Sequence, residues 1–275
     1  MQLAITHCSL SLIIEKTMLR NYWKTALRTL WKHKSYTTIN VLGLSLGITC
    51  SLLLFLLIRY QLSFDTFHAN KDNIYRLVRE TVRQGDTDYT PGVPTPFPDA
   101  FRTDFPEVEK VVSISYFRQG LITVDRGGGN QNFSENEGLA YVEPTFFNVF
   151  NCPIIAGDPL TVLKQPNEAV ISLSLAQKYF GTNSQPEELL GQSLRLNKEI
   201  DLVIAGVMED HPKNTDFPFT MMISYATVKD EMLENGGWNS ISSDDQCYIL
   251  LAESQSPASI QAQLPDFLEK YEESN

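Results

Sequence analysis

INVLGLSLGITCSLLLFLLI, residues 39–58, is the stretch from which the rest of the chain is read. Its twenty residues carry no charge, and Asn40 is the one strongly polar side chain. At about 1.5 Å per residue a helix of this length reaches about 30 Å, the thickness of a bilayer's hydrocarbon core. A buried helix of a water-soluble protein usually keeps a polar stripe. No face here is polar, so residues 39–59 are expected to cross a membrane. A cleavable signal peptide fits poorly. The apolar run is too long and starts too late, and Arg59, Tyr60, Gln61 and Leu62 offer no small-residue cleavage site.

The flanks orient the span. Residues 1–34 hold Lys16, Arg20, Lys24, Arg28, Lys32 and Lys34 against Glu15, a balance of +5; the whole chain is −11, so the remainder carries −16. Basic residues beside a span stay in the cytoplasm. The N-terminal arm is therefore expected inside and residues 60–275 across the membrane. Residues 18–38 form the second element of this reading, a cytoplasmic amphipathic basic helix. Leu19, Tyr22, Trp23, Ala26, Leu27, Leu30 and Trp31 recur at three- and four-residue spacing, while Arg20, Lys24, Arg28 and Lys32 follow one another at steps of four. A basic face bordered by tryptophans suits an anionic membrane surface, which makes lipid an expected partner; a soluble core helix is the alternative. Residues 1–17 are less regular, and Met18 is a second possible start. Inside the span Gly43, Gly47 and Ser51 stand four apart, a spacing that lets another helix approach closely.

Beyond the span, 43% apolar and 11% aromatic residues over the chain indicate a folded body. The acidic balance excludes nucleic acid as a partner, because no basic face exists to neutralise phosphates. Strands are expected at 73–82, 108–117, 139–142, 169–172, 193–196, 202–207, 217–224 and 246–251. Helices are expected at 98–105, 144–150, 172–180, 225–234 and 257–271, with a turn of helix at 186–190. A hairpin over 120–137 would turn at Arg126-Gly127-Gly128-Gly129-Asn130. Strands and helices interleave, giving an α+β fold. Asp65, His68 and Asp72 could suggest a metal site, but Asp65 and Asn70 read as caps or turn formers and His68 as a surface histidine. Cys152 and Cys247 leave open a disulfide or two thiols, and no cysteine spacing suggests zinc. The chain lacks nucleophile elbows, HExxH, Walker A, dinucleotide and EF-hand patterns, and its four histidines are scattered. Neither catalysis nor a cofactor is expected.

The ordered motifs resemble those of the MacB/FtsX-like ABC transporter permeases with a MacB-like periplasmic core. They include Ala26-Leu27-Arg28-Thr29-Leu30-Trp31-Lys32-His33-Lys34, Phe64-Asp65-Thr66-Phe67-His68 and Ile74-Tyr75-Arg76. Phe105-Pro106-Glu107-Val108, Gly157-Asp158-Pro159, Leu190-Gly191-Gln192 and Gly206-Val207-Met208-Glu209-Asp210-His211-Pro212 follow in order. The resemblance implies a permease subunit of the bacterial inner membrane, N-terminus cytoplasmic and residues 60–275 periplasmic, with a porter-like part and a smaller insertion near 117–200. It also implies a cytoplasmic ABC ATPase on a separate chain, coupled through Arg20, Trp23, Lys24, Arg28, Trp31 and Lys32. Residues 60–275 contain no further run of eighteen apolar residues. The chain is therefore expected to be a truncated or split permease, completed by other transmembrane segments or a second copy. A single-span periplasmic sensor or scaffold is the alternative function.

Overall fold

The computed structural model describes residues 7–83, 85–125 and 129–272, in two units, Met1–Ser63 and Phe64–Asn275. The first unit contains α1 (His7–Lys32) and α2 (Lys34–Gln61), separated by a turn at His33. Helix α1 takes in residues 7–17, which the sequence pattern had set apart from the amphipathic segment; residues 1–6 lie outside the described residues. None of the 28 residues of α2 is buried in protein. Three polar side chains in its apolar stretch bond within the helix: Ser45 Oγ donates to the Leu42 carbonyl (2.9 Å), Thr49 Oγ1 to that of Ser45 (2.8 Å) and Ser51 Oγ to that of Gly47 (2.9 Å). A helix in hydrocarbon requires this, because lipid offers polar groups no partner.

The second unit opens with β1 (Ile74–Leu77), β2 (Arg79–Arg83), β3 (Asp86–Thr90), α3 (Phe97–Asp104) and β4 (Lys110–Phe117). Then come β5 (Gly120–Asp125), β6 (Asn130–Glu135), β7 (Leu139–Val142), α4 (Phe146–Val149), β8 (Ile154–Ala156), β9 (Glu168–Ser172) and α5 (Leu173–Phe180). It closes with β10 (Ser193–Leu196), β11 (Ile200–Met208), β12 (Met221–Ser224), α6 (Lys229–Asn235), β13 (Asp245–Leu250) and α7 (Pro257–Glu272). Eleven strands form one mixed sheet in the order β1-β13-β4-β7-β12-β9-β11-β10-β5-β6, with β8 also on β11. The pairs β7–β12 and β9–β11 are parallel. Parallel neighbours need long crossover connections, and the one between β9 and β11 contains α5.

Alternation along the strands sends side chains to both faces, and helices cover them. Val112 and Ile114 of β4 and Tyr248 and Leu250 of β13 pack with Phe146, Phe150, Phe217 and Phe219. On the opposite face Val111, Cys247 and Ile249 meet α3 and α7 through Phe97, Phe101, Phe105 and Phe267. Towards β10 and β5, Leu175, Ala176 and Tyr179 of α5 close over Ile122, Leu194, Leu196 and Leu202. Ser172 caps α5 by accepting the Leu175 N–H (3.2 Å), and Gly181 ends it at φ 97°. The fold is α+β, as the interleaved pattern predicts.

Several boundaries differ from the sequence reading. The strand expected over 73–82 divides at Val78: β1 joins the large sheet, and β2 pairs with β3 in a separate hairpin. The 217–224 strand keeps only its last four residues, since Phe217 and Phe219 enter the core from a non-strand segment. The 225–234 helix is a 3-10 turn at Tyr225–Thr227 followed by α6. Strands β3 and β8 were not anticipated. The hairpin tip at Arg126, Gly127 and Gly128 lies outside the described residues. Cys152 and Cys247 are free thiols in different apolar clusters.

Candidate functional site

Each unit contributes one set of candidate residues. On α1 the side chains of Arg20, Lys24, Arg28 and Lys32 are exposed, as are Trp23 and Trp31. A step of four residues advances about 40° around the helix, so the cations form one slowly turning stripe. The Lys34 ammonium stands 5.6 Å from the centroid of the Trp31 ring. Such a helix can adsorb to an anionic surface, its indoles at the acyl boundary and its cations on phosphates. On α2, Gly43, Gly47 and Ser51 line a shallow groove with Leu44, Ile48 and Phe55. A Cβ at either glycine would meet no atom within 4 Å.

In the second unit, the turn at residues 64–73 is tied to two distant loops. Asp65 sits at φ 54°, a left-handed conformation that aspartate tolerates better than most residues. Its N–H donates to the Asn214 carbonyl (3.1 Å), and its carboxylate accepts the Thr215 hydroxyl and the Asp216 N–H (3.1 Å). Asn151 makes two further ties: its Oδ1 accepts the Ala69 N–H (2.6 Å), and its own N–H donates to Nδ1 of His68 (3.0 Å). Asp65 is thus the turn former expected of it. His68 is not the expected surface residue. It is 3% exposed, with Phe67, Phe150 and Phe217 ring centroids at 4.2, 5.2 and 6.0 Å.

Because Nδ1 accepts a hydrogen bond, the neutral His68 ring carries its proton on Nε2. That nitrogen lies 3.6 Å from Asp65 Oδ1 and has no hydrogen-bond partner among the described residues. Burial lowers the His68 pKa, against the opposing pull of Asp65. His211 joins the same cluster from the loop after β11, its Nε2 3.8 Å from Cys152 Sγ. Its pKa is also lowered, by burial and then by His68. Burial pushes the Cys152 thiol to about 12, so it holds almost no thiolate near neutrality. Asp72 instead offers its carbonyl to the Tyr75 hydroxyl (3.2 Å). Sequence reading overlooked Asn151, Thr215 and His211 as partners of this turn. The only local hint was the aromatic company of His68 and the Phe217–Phe219 pair.

Among solved structures, the chain is similar to a domain assigned to a permease protein of Porphyromonas gingivalis. That match has a TM-score of 0.60 and 22% identity, covering 74% of this chain and 86% of the other. A second match is the periplasmic region of MacB from Actinobacillus actinomycetemcomitans, with a TM-score of 0.48, 18% identity and coverage of 65% and 73%. No curated protein matches the sequence. The family model of the MacB-like periplasmic core domain matches residues 37–267, most of the second unit and the α2 part of the first. The chain belongs to the MacB-like periplasmic core domain family.

Proposed function

We propose that this chain is the membrane-anchored permease subunit of a MacB/FtsX-type ABC transporter, coupling a separate cytoplasmic ATPase to movements of its periplasmic domain. The observation that carries this reading is the continuity of the chain. An apolar 28-residue helix, nowhere buried in protein, runs in sequence directly into a domain of this family. In this reading α2 spans the bacterial inner membrane, α1 lies on its cytoplasmic surface, and Phe64 onward is periplasmic. The domain transmits motion or engages a substrate or partner, with no chemistry of its own. Other permease segments or a second copy pack against Gly43, Gly47 and Ser51, and the smaller inserted part falls within 117–200.

The stripe of Arg20, Lys24, Arg28 and Lys32, with Trp23 and Trp31, is the proposed coupling surface to lipid and ATPase. Reversing Arg20, Lys24 and Arg28 to glutamate is expected to lower ATPase recovery on the purified membrane complex at least tenfold, with the periplasmic domain still folded. Undiminished recovery would refute the coupling role.

A further inference from the structure

Residues 64–73 lead in sequence from α2 to β1, and their ties fasten them to the loops at Asn151 and 214–216 of the same unit. One of those ties depends on protonation. The Asn151 N–H donates to His68 Nδ1 only while that nitrogen keeps its lone pair; a protonated ring would turn an N–H against an N–H. The other ring nitrogen is buried, carries the neutral ring's proton and bonds to nothing among the described residues. We propose that this turn is a proton-operated latch: protonation of His68 breaks the Asn151 tie and frees the 64–73 turn from the loop after α4.

The neighbouring groups come from every element around the ring. Asp65, from the same turn, faces Nε2 and favours the cation. Its Oδ1 already accepts the Thr215 hydroxyl, however, so a charged ring would compete for the oxygen that ties the 214–216 loop. From the loop after β11 come His211, which opposes a second positive charge nearby, together with Asp210 and Asp216. Cys152, after α4, is a neutral thiol. Tyr248 of β13 is a neutral phenol pushed to about 12 by burial, and Arg76 of β1 lies beside it and Asp216.

The direction follows from burial. The closed latch holds His68 below its ordinary pKa of 6.5, whereas the open latch returns the ring to water. The pH-dependent part of closure is fully present well above pH 6.5. Opening grows as pH falls below it, by up to about tenfold per pH unit for one proton, until the closed-state pKa is passed. The latch rests on these contacts alone and stands whether or not an ATPase drives the chain.

Hydrogen exchange on the full chain in lipid nanodiscs tests it at the amides of Ala69, Asn151 and Asp216, after correction for intrinsic rates. Between pH 7.5 and 5.5 the opening of these amides is expected to rise in the native chain, by up to about tenfold. His68→Asn places an untitratable acceptor oxygen where Nδ1 stands, and should flatten the pH dependence whatever its absolute level. His211→Asn should keep it. A native chain with pH-independent opening, or a His68→Asn chain with the full dependence, overturns the proposal. Nitrogen-15 spectra of the native ring give a check that needs no variant. A proton on Nδ1 at pH 7.5, or ring titration without amide opening, overturns it equally.

Discussion

Replacing Asp65 by alanine and by asparagine separates the contributions that hold the 64–73 turn. Alanine removes the acceptor of the Thr215 hydroxyl, and Thr215 is 5% exposed. It also removes the acceptor of the Asp216 N–H, which is open enough to solvent for water to replace much of that bond. Hydrogen bonds to charged groups are worth about 1.5–3 kcal/mol, and a buried donor left unpaired costs about 1–3 kcal/mol. Alanine at φ 54° adds about 1 kcal/mol of left-handed strain. Discounting the solvated amide, Asp65→Ala should cost about 3 kcal/mol. Asparagine keeps the acceptor oxygen and tolerates the conformation, so Asp65→Asn should cost about 1 kcal/mol. In a domain of this size each kcal/mol shifts the melting temperature by about 2–4 °C. Calorimetry of the full chain should therefore show falls of about 9 °C and about 3 °C. Equal effects of the two substitutions, or a fall under about 2 °C for alanine, would refute the assignment of these bonds to Asp65.

Other substitutions read the sheet. A Cβ on Gly92 would lie 1.7 Å from the Ser242 carbonyl oxygen, beside the Val93 N–H to Asp245 carbonyl bond of 2.9 Å. Gly92→Ala should therefore destabilise the domain by about 3 kcal/mol or more, seen as a lowered thermal midpoint. Glu135 is 8% exposed and accepts from Lys178 Nζ at 2.7 and 2.8 Å and from the Tyr179 hydroxyl at 2.9 Å. Lys178 is itself half-exposed, so Lys178→Met should cost about 2 kcal/mol. Adding Glu135→Gln should restore part of that loss in urea titrations, since it removes the stranded charge.

What the sequence made legible is what is encoded locally. The long apolar helix over 39–58 follows from composition alone. Helix α5 is expected at 172–180, and the structure shows Ser172 capping its start and Gly181 ending it. Strand β7, Leu139–Val142, was placed to the residue because turns and a proline bound it. The failures are matters of distant contact. The pattern across Val78 is continuous, yet β1 leaves it to pair with β13, some 170 residues away. Strand β8 has three residues and exists because β11 gives it an edge. The burial of His68 depends on Phe150, Asn151 and Phe217, none of which lies near it in the chain. Gly43, Gly47 and the α1 cations are singled out by spacing alone, and their packing and coupling roles belong to the proposed function.

The most direct measurement labels introduced cysteines in intact spheroplasts with a membrane-impermeant maleimide, in a chain whose Cys8, Cys50 and Cys152 are serine. Cys247 is fully buried, and that parent chain is the blank. Tyr89→Cys lies at an exposed position of the β2–β3 hairpin, and Lys24→Cys on the exposed face of α1. With α2 as the span and its basic end inside, position 89 labels at once and position 24 only after the membrane is permeabilised. Equal labelling of both positions, or labelling of position 24 alone, would contradict the orientation on which the transport reading depends.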